Sequence, residues 1–207
     1  MLKLTDRLLK FAAAVALFGL MSGTAGAFGP PLICHPFDAG SIVLLPWGPG
    51  PDWKSPDKSY DIQKLTADTL RLLTPTTPVI ARMEIMRRAT IYAGQDKKVA
   101  SALLKALQDR AKALPADSRD ALTWFDAGYI IESYRQYEHV AGWNMLGDSA
   151  EGYIYVKKAI QLAGQNAEME FAASLMTQGA SAAEHKRRAI AGATPGSLLA
   201  KNLERLQ

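Results

Sequence analysis

The sequence predicts an all-α protein preceded by an extended N-terminal arm, and three observations support this fold class. From Tyr60 onward, apolar residues recur every three or four positions, and strict alternation of apolar and polar residues is almost absent. Helix-end signals separate these segments, for example Thr77-Pro78 at a start and Gly94 at an end. Seven of the eleven prolines lie within 28–59, where they exclude a long helix.

The same signals divide 60–207 into eight predicted helices. Thr77 is the expected N-cap of the second helix, Asp96 of the third, and Asp117 or Ser118 of the fourth. Pro115 closes the third helix. The predicted helices span about 60–73, 78–93, 97–114, 118–139, 149–163, 168–178, 181–190 and 195–206.

The arm, 28–59, is rich in proline and glycine but also carries many large apolar side chains. Such side chains are too numerous for a solvated tail, so we expect the arm to lie along the helical body and bury them. Its segment 41–45 has the composition of a strand, but a single strand has no partner in the chain. The apolar residues expected to be buried are Phe28, Leu32, Ile33, Phe37, Leu44, Leu45, Trp47 and Trp53.

The first 27 residues have the pattern of a signal peptide. Lys3, Arg7 and Lys10 precede an apolar run at 11–21, and Ala25-Gly26-Ala27 provides small residues at a cleavage site. The run is shorter than the roughly 20 residues that span a bilayer. We therefore expect a bacterial periplasmic or secreted protein, with no transmembrane segment after cleavage of the signal.

The charge balance argues against a nucleic-acid partner. The whole chain has a formal net charge of +4, and removing the predicted signal leaves about +2. Nucleic-acid-binding domains usually carry a concentrated basic surface instead.

Cys34 and His35 form the pair with the clearest chemical potential. Thiolate and imidazole bind zinc or copper, and Asp38 could add an oxygen ligand, so these three residues are a candidate metal site. A lone thiol in an oxidising compartment has two other fates, burial as a small apolar group or an interchain disulfide. A cysteine nucleophile would need His139 or His185 as its base.

An aromatic cluster on the fourth predicted helix offers a second candidate site. Aromatic residues at helical spacing are usually core, but such a set can also line a groove for a peptide. We expect Tyr134 and Tyr137, which lie near Trp143, to be partly exposed, and these three residues are the candidate contacts with a protein or peptide partner. Arg87 and Arg88, with Glu84 four residues before Arg88, have the spacing of a helix-surface ion pair.

Bulky and small residues recur at a characteristic spacing on the fourth and fifth predicted helices. They are Trp124, Ala127, Gly128 and Ile131 on the first of these helices and Gly152, Val156, Ala159 and Gly164 on and after the second. This pattern resembles the tetratricopeptide repeat, in which two antiparallel helices pack through small residues. The two glycines at its centre, Gly128 and Gly152, lie about a dozen residues too far apart for a 34-residue repeat, so the first helix is longer or 142–147 is an insertion. The resemblance implies an array of helical hairpins that binds protein partners.

The segments 33–37 and 45–47 are also similar to the start of a group of exported bacterial proteins to which no activity is assigned. Together with the absence of any catalytic spacing, these features predict an exported binding or scaffolding protein without catalytic activity. It would engage a protein or peptide partner, or a second copy of itself. The alternative is a metal- or redox-active periplasmic protein that uses Cys34 and His35.

Overall fold

The computed structural model describes residues 30–50, 52–147 and 151–206. These ranges contain helices and no strand, which confirms the all-α prediction. The predicted signal peptide and Phe28 lie outside the described residues. No helix in the described ranges is long and apolar enough to cross a membrane. The helices are α1 (Pro31–Cys34), α2 (Leu65–Leu72, after a 3-10 turn at Ile62–Lys64), α3 (Val79–Ala93), α4 (Lys97–Lys112), α5 (Ala121–Ala141), α6 (Gly152–Ala163), α7 (Ala167–Met176), α8 (Gly179–Gly192) and α9 (Leu198–Arg205).

Helix α4 begins at the cap that the sequence predicts, whereas α3 begins differently. The Asp96 carboxylate accepts hydrogen bonds from the first turn of α4, as expected of an N-cap. Thr77 is not the N-cap of α3, because Pro78 occupies that position. The Thr77 hydroxyl instead donates to the carbonyl of Leu72 at 2.7 Å, which closes the turn after α2.

The start of α5 also differs from the prediction. Asp120 is the N-cap, and its carboxylate accepts from the backbone N–H of Thr123 at 3.0 Å. Ser118 belongs to the preceding turn, where its N–H donates to the carbonyl of Pro115 at 3.0 Å. When several polar residues precede a helix, their presence alone therefore does not show which of them is the N-cap.

Helix α3 lies at the centre of the molecule. All of its residues except Arg88 are buried, and it packs against α1, α2, α4, α5 and α7. A helix without a solvent-facing side belongs to the interior of a fold. Its polar residues must therefore find partners within the protein.

Helices α5 and α6 form an antiparallel hairpin with a close contact at Gly128 and Gly152. A Cβ atom on Gly128 would lie 2.6 Å from the carbonyl oxygen of Gly152. Farther along the pair, the rings of Trp124 and Tyr155 are 5.5 Å apart. The two small residues therefore allow the helices to approach closely, and the length of α5 together with the late start of α6 accounts for their wide spacing.

The arm lies on the helical body, and its apolar side chains enter the same core. Leu32, Ile33, Phe37 and Leu45 are buried, as expected, whereas Leu44, Trp47 and Trp53 are partly buried against that core. The arm is not extended throughout, because Pro31–Cys34 forms the single turn of α1. Proline is accepted in the first turn of a helix, where its missing N–H leaves no hydrogen bond unmade.

Candidate functional site

The three predicted metal ligands do not form a common site. Within the described residues, no group of three or more His, Cys, Asp and Glu side chains could hold a metal ion. The Asp38 carboxylate accepts from the backbone N–H of Gly40, while the Asn202 side chain bridges the backbone of Asp38 at 2.8 and 2.9 Å. His35 lines a separate small cavity beside Pro36. The predicted metal site is therefore wrong, because its three side chains do not meet at one point.

Cys34 ends α1 and is half-buried. Burial raises the pKa of its thiol, and this effect outweighs the opposing influence of the Arg87 guanidinium. A nucleophilic cysteine needs the reverse shift. Of its proposed bases, His185 is engaged with Tyr153 and Glu170, and His139 lies exposed on α5.

Two of the aromatic residues predicted to be exposed belong to the core. Tyr134 is fully buried, and its hydroxyl donates to the carbonyl of Ala100 on α4 at 3.1 Å. Tyr137 is 2% exposed. The expected exposure is therefore wrong for both tyrosines, because α4 and the arm cover this part of α5. Trp143 is half-buried, and its indole N–H donates to the carbonyl of Gly94 at 3.2 Å.

The Glu84–Arg88 pair is also not on the surface, because the arm covers it. The Glu84 carboxylate is 1% exposed and accepts from both Arg87, at 2.7 Å, and Arg88, at 2.8 Å. It also accepts from the backbone N–H of Phe37 at 3.0 Å. Hydrogen bonds from these three donors offset the free energy that the carboxylate loses when it is removed from water.

The two arginines hold the arm by its backbone. Arg87 donates to the carbonyl oxygens of Ile33 and Trp53 at 3.2 and 2.9 Å, and Arg88 donates to that of Leu45 at 2.6 Å. Both guanidinium groups also lie over the ring of Trp47, at 5.0 and 5.3 Å from its centroid. The helix–arm contact therefore places the arm along a defined path.

Farther along, Tyr92 fixes the segment of the arm that borders a cleft. Its hydroxyl donates to the carbonyl of Pro46 at 2.7 Å and accepts from the N–H of Asp57 at 2.9 Å. Between these points the N–H of Gly48 donates to the carbonyl of Ser55 at 2.9 Å. The arm thus forms a loop with a hydrogen-bonded neck beside the ends of α3 and α5.

This loop and the two helix ends enclose a cleft of about 610 Å³, which we call the arm cleft. Its helical side is mainly apolar and includes Ile91, Tyr137, Val140 and Ala141. Its volume falls in the range of roughly 300–1,000 Å³ that is typical of ligand sites. Tyr137, although almost inaccessible, lines it, so one of the predicted partner-binding residues does lie at a cavity.

The rim of the arm cleft is basic. Lys54 and Lys58 are exposed on the arm side, and the Lys54 ammonium lies 5.7 Å from the centroid of the Tyr137 ring. Lys97 lies over the ring of Trp143, whose indole N–H binds the cleft residue Gly94. One acidic residue, Asp57, also lines the cleft; hydrogen bonds from Ser59 lower the pKa of its carboxyl and keep it negatively charged, so the lysines outnumber a single carboxylate there.

Sequence reasoning missed these lysines because they come from two separate segments, the arm and the start of α4, and form no motif. The only sequence signal for a cavity at this place was the prediction that the arm packs on the helical body.

The comparisons with known proteins assign no relatives. No protein-family model matches the chain, and no curated protein or solved structure matches it significantly. The arm cleft, with its apolar wall and basic rim, therefore stands on its own geometry as the candidate binding site.

Proposed function

We propose that this protein is an exported helical binding protein whose arm cleft receives a short acidic and apolar segment of a protein or peptide partner. The single observation that carries the proposal is the arm cleft itself, about 610 Å³ in volume. Export is inferred from the signal-like pattern of 1–27.

The lining favours a ligand that is apolar at one point and anionic at another. Val140 and Ala141, which are half-buried and backed by the buried Ile91, offer a surface for one aliphatic or aromatic side chain. Lys54 and Lys58 at the rim would meet a carboxylate next to that side chain. An acidic peptide with one large apolar residue satisfies both requirements.

The neck of the loop that forms the arm side of the cleft is held by contacts within the protein, which favours binding. The hydrogen bond between Gly48 and Ser55 closes the loop, and a Cβ atom on Gly48 would lie 2.9 Å from the Ser55 carbonyl oxygen. Little backbone freedom is therefore lost when a ligand enters. Preorganisation of this kind raises affinity by lowering the entropy cost of association.

Calorimetric titration with two synthetic octapeptides tests the proposal. One has a central leucine flanked by glutamates, and the other carries lysines in place of the glutamates. We expect the purified protein to bind the acidic peptide, and to bind it more weakly as salt concentration rises. The double variant Lys54→Glu/Lys58→Glu should bind it at least roughly tenfold more weakly, because two attractive charges become repulsive.

Two further variants separate the cleft from general electrostatics. Val140→Trp fills the apolar wall and should abolish binding, whereas Lys186→Glu on α8, which does not line the cleft, should leave more than half of the affinity. Absence of binding by the unmodified protein, or equal affinity for both peptides, would overturn the proposal.

A further inference from the structure

Three helices bring one ionisable or hydrogen-bonding side chain each to a single point away from the arm cleft. Tyr153 lies in the first turn of α6, Glu170 on α7 and His185 on α8. The Tyr153 hydroxyl is 2.6 Å from Nε2 of His185. Nδ1 of the same ring makes a short hydrogen bond with Oε2 of Glu170.

The chain of hydrogen bonds has a defined direction. Glu170 is buried and, as a carboxylate, only accepts, so Nδ1 of His185 carries the proton that it receives. In the neutral imidazole, Nε2 is then the unprotonated nitrogen, and we assign it as the acceptor of the hydrogen bond from the Tyr153 hydroxyl. A hydroxyl, a histidine base and a carboxylate that orients the base form the arrangement used to activate nucleophiles.

The cluster borders a cavity large enough for a small molecule. This cavity has a volume of about 340 Å³, and Tyr153, His185, Lys157, Ser181 and Arg188 line it. The Lys157 ammonium lies 5.1 Å from the centroid of the Tyr153 ring. Lys157 therefore places one positive charge beside the tyrosine, whereas the Arg188 guanidinium, which also lines the cavity, is paired with Glu184 at 2.8 Å and with Glu170 at 3.5 Å.

Helix packing alone does not explain the cluster. A carboxylate and an imidazole buried between helices lose hydration, and well-packed apolar residues would serve equally well for stability. The Tyr153 ring also meets the imidazole edge to face, at 84° and 5.7 Å between centroids, so the hydroxyl is held against Nε2. The backbone N–H of Tyr153 is itself fixed by the Glu132 carboxylate at 3.1 Å.

We propose that Tyr153 is the nucleophile of a second site that accepts acyl groups from small esters. The phenol oxygen forms a bond to the ester carbonyl carbon while its proton moves to Nε2 of His185. The bond from that carbon to the alcohol oxygen then breaks, and the departing alcohol takes the proton from His185. Glu170 is a positioning residue, because it holds the ring of His185 and does not touch the substrate.

Water completes the cycle by the same path in reverse. It gives a proton to His185 as its oxygen bonds to the acyl carbon of the modified tyrosine. The Tyr153 oxygen then leaves and takes that proton back, and the acyl group departs as a carboxylic acid. No oxidant, metal or cofactor is needed for either half of the cycle.

p-Nitrophenyl acetate, followed by release of p-nitrophenolate and by peptide mass mapping, tests this site in the full chain. We expect the acetyl group on Tyr153. Tyr153→Phe should abolish its formation, and His185→Gln should slow it by roughly 10²-fold or more, the usual contribution of a general base. Tyr155→Phe, on the same helix, is the matched control and should react like the unmodified protein.

Glu170→Gln separates a positioning role from a purely structural one. The amide keeps the shape of the side chain but cannot orient the imidazole as the carboxylate does, so the rate should fall and its pH profile should shift. Circular dichroism establishes that each variant is folded. Acetylation of Tyr153 no faster than that of Tyr155, or an unchanged rate in folded His185→Gln, would overturn the proposal.

Discussion

Replacing Gly128 with alanine tests the close contact between α5 and α6. In an ordinary helix interior this change stabilises a protein by roughly 0.5–1 kcal/mol, since alanine loses less backbone entropy on folding. Here the new Cβ would lie 2.6 Å from the carbonyl oxygen of Gly152 and 2.8 Å from a methyl group of Val156. A backbone atom cannot rotate away, so the two helices must separate.

The expected magnitude follows from these two opposing effects. Overpacking typically costs about 1–3 kcal/mol, which exceeds the gain in helix propensity. We therefore expect Gly128→Ala to lower the free energy of unfolding by about 1–2 kcal/mol. Gly152→Ala should cost at least as much, because its Cβ would lie 2.3 Å from the Gly128 carbonyl oxygen.

Urea denaturation followed by circular dichroism measures the effect. The exposed α8 position Ala183 provides the control, because Ala183→Gly reports helix propensity without any packing change. It should lower the free energy of unfolding by roughly 0.5–1 kcal/mol. If Gly128→Ala unfolds at the same urea concentration as the unmodified protein or at a higher one, the helices do not meet at this point.

Two further predictions concern buried charges. Burial raises the pKa of Asp126 to about 6 despite its 2.6 Å ion pair with Arg82, and its Oδ1 has no hydrogen-bond partner in the described structure. The folded state therefore binds this proton more tightly than the unfolded state, and the associated stability of up to roughly 3 kcal/mol is lost as pH rises from about 4 to about 6. The difference in free energy of unfolding between the unmodified protein and Asp126→Asn should fall over that range, and a constant difference would contradict the assignment. Arg87→Met leaves the buried Glu84 without its main partner, so it should cost about 3–5 kcal/mol and expose the arm to limited proteolysis, whereas Arg135→Met, at a partly exposed pair, should cost less than about 1 kcal/mol.

Much of the fold was predictable because its signals are local. Gly94 ends α3 and Asp96 caps α4 through groups only a few residues away, so a short window of sequence contains the whole interaction. The small residues Gly128 and Gly152 were also expected at a close contact between two helices, and they do face each other, although their spacing along the chain does not match the repeat. The candidate sites were less accessible, because Arg87 has the spacing of a surface residue and becomes a buried one only when the arm folds over it.

By itself, the sequence determined that this protein is helical from about residue 60, that proline keeps the arm from forming a long helix, and that the apolar side chains of the arm need a partner surface. Tertiary structure alone decided that Tyr134 is a core residue and that Cys34, His35 and Asp38 do not meet as metal ligands. It also brought Tyr153, Glu170 and His185 from three helices to one point. The physical reason is the separation along the chain over which each interaction acts. Capping and periodicity involve residues that are close in sequence, whereas burial and the clustering of side chains depend on how distant segments pack.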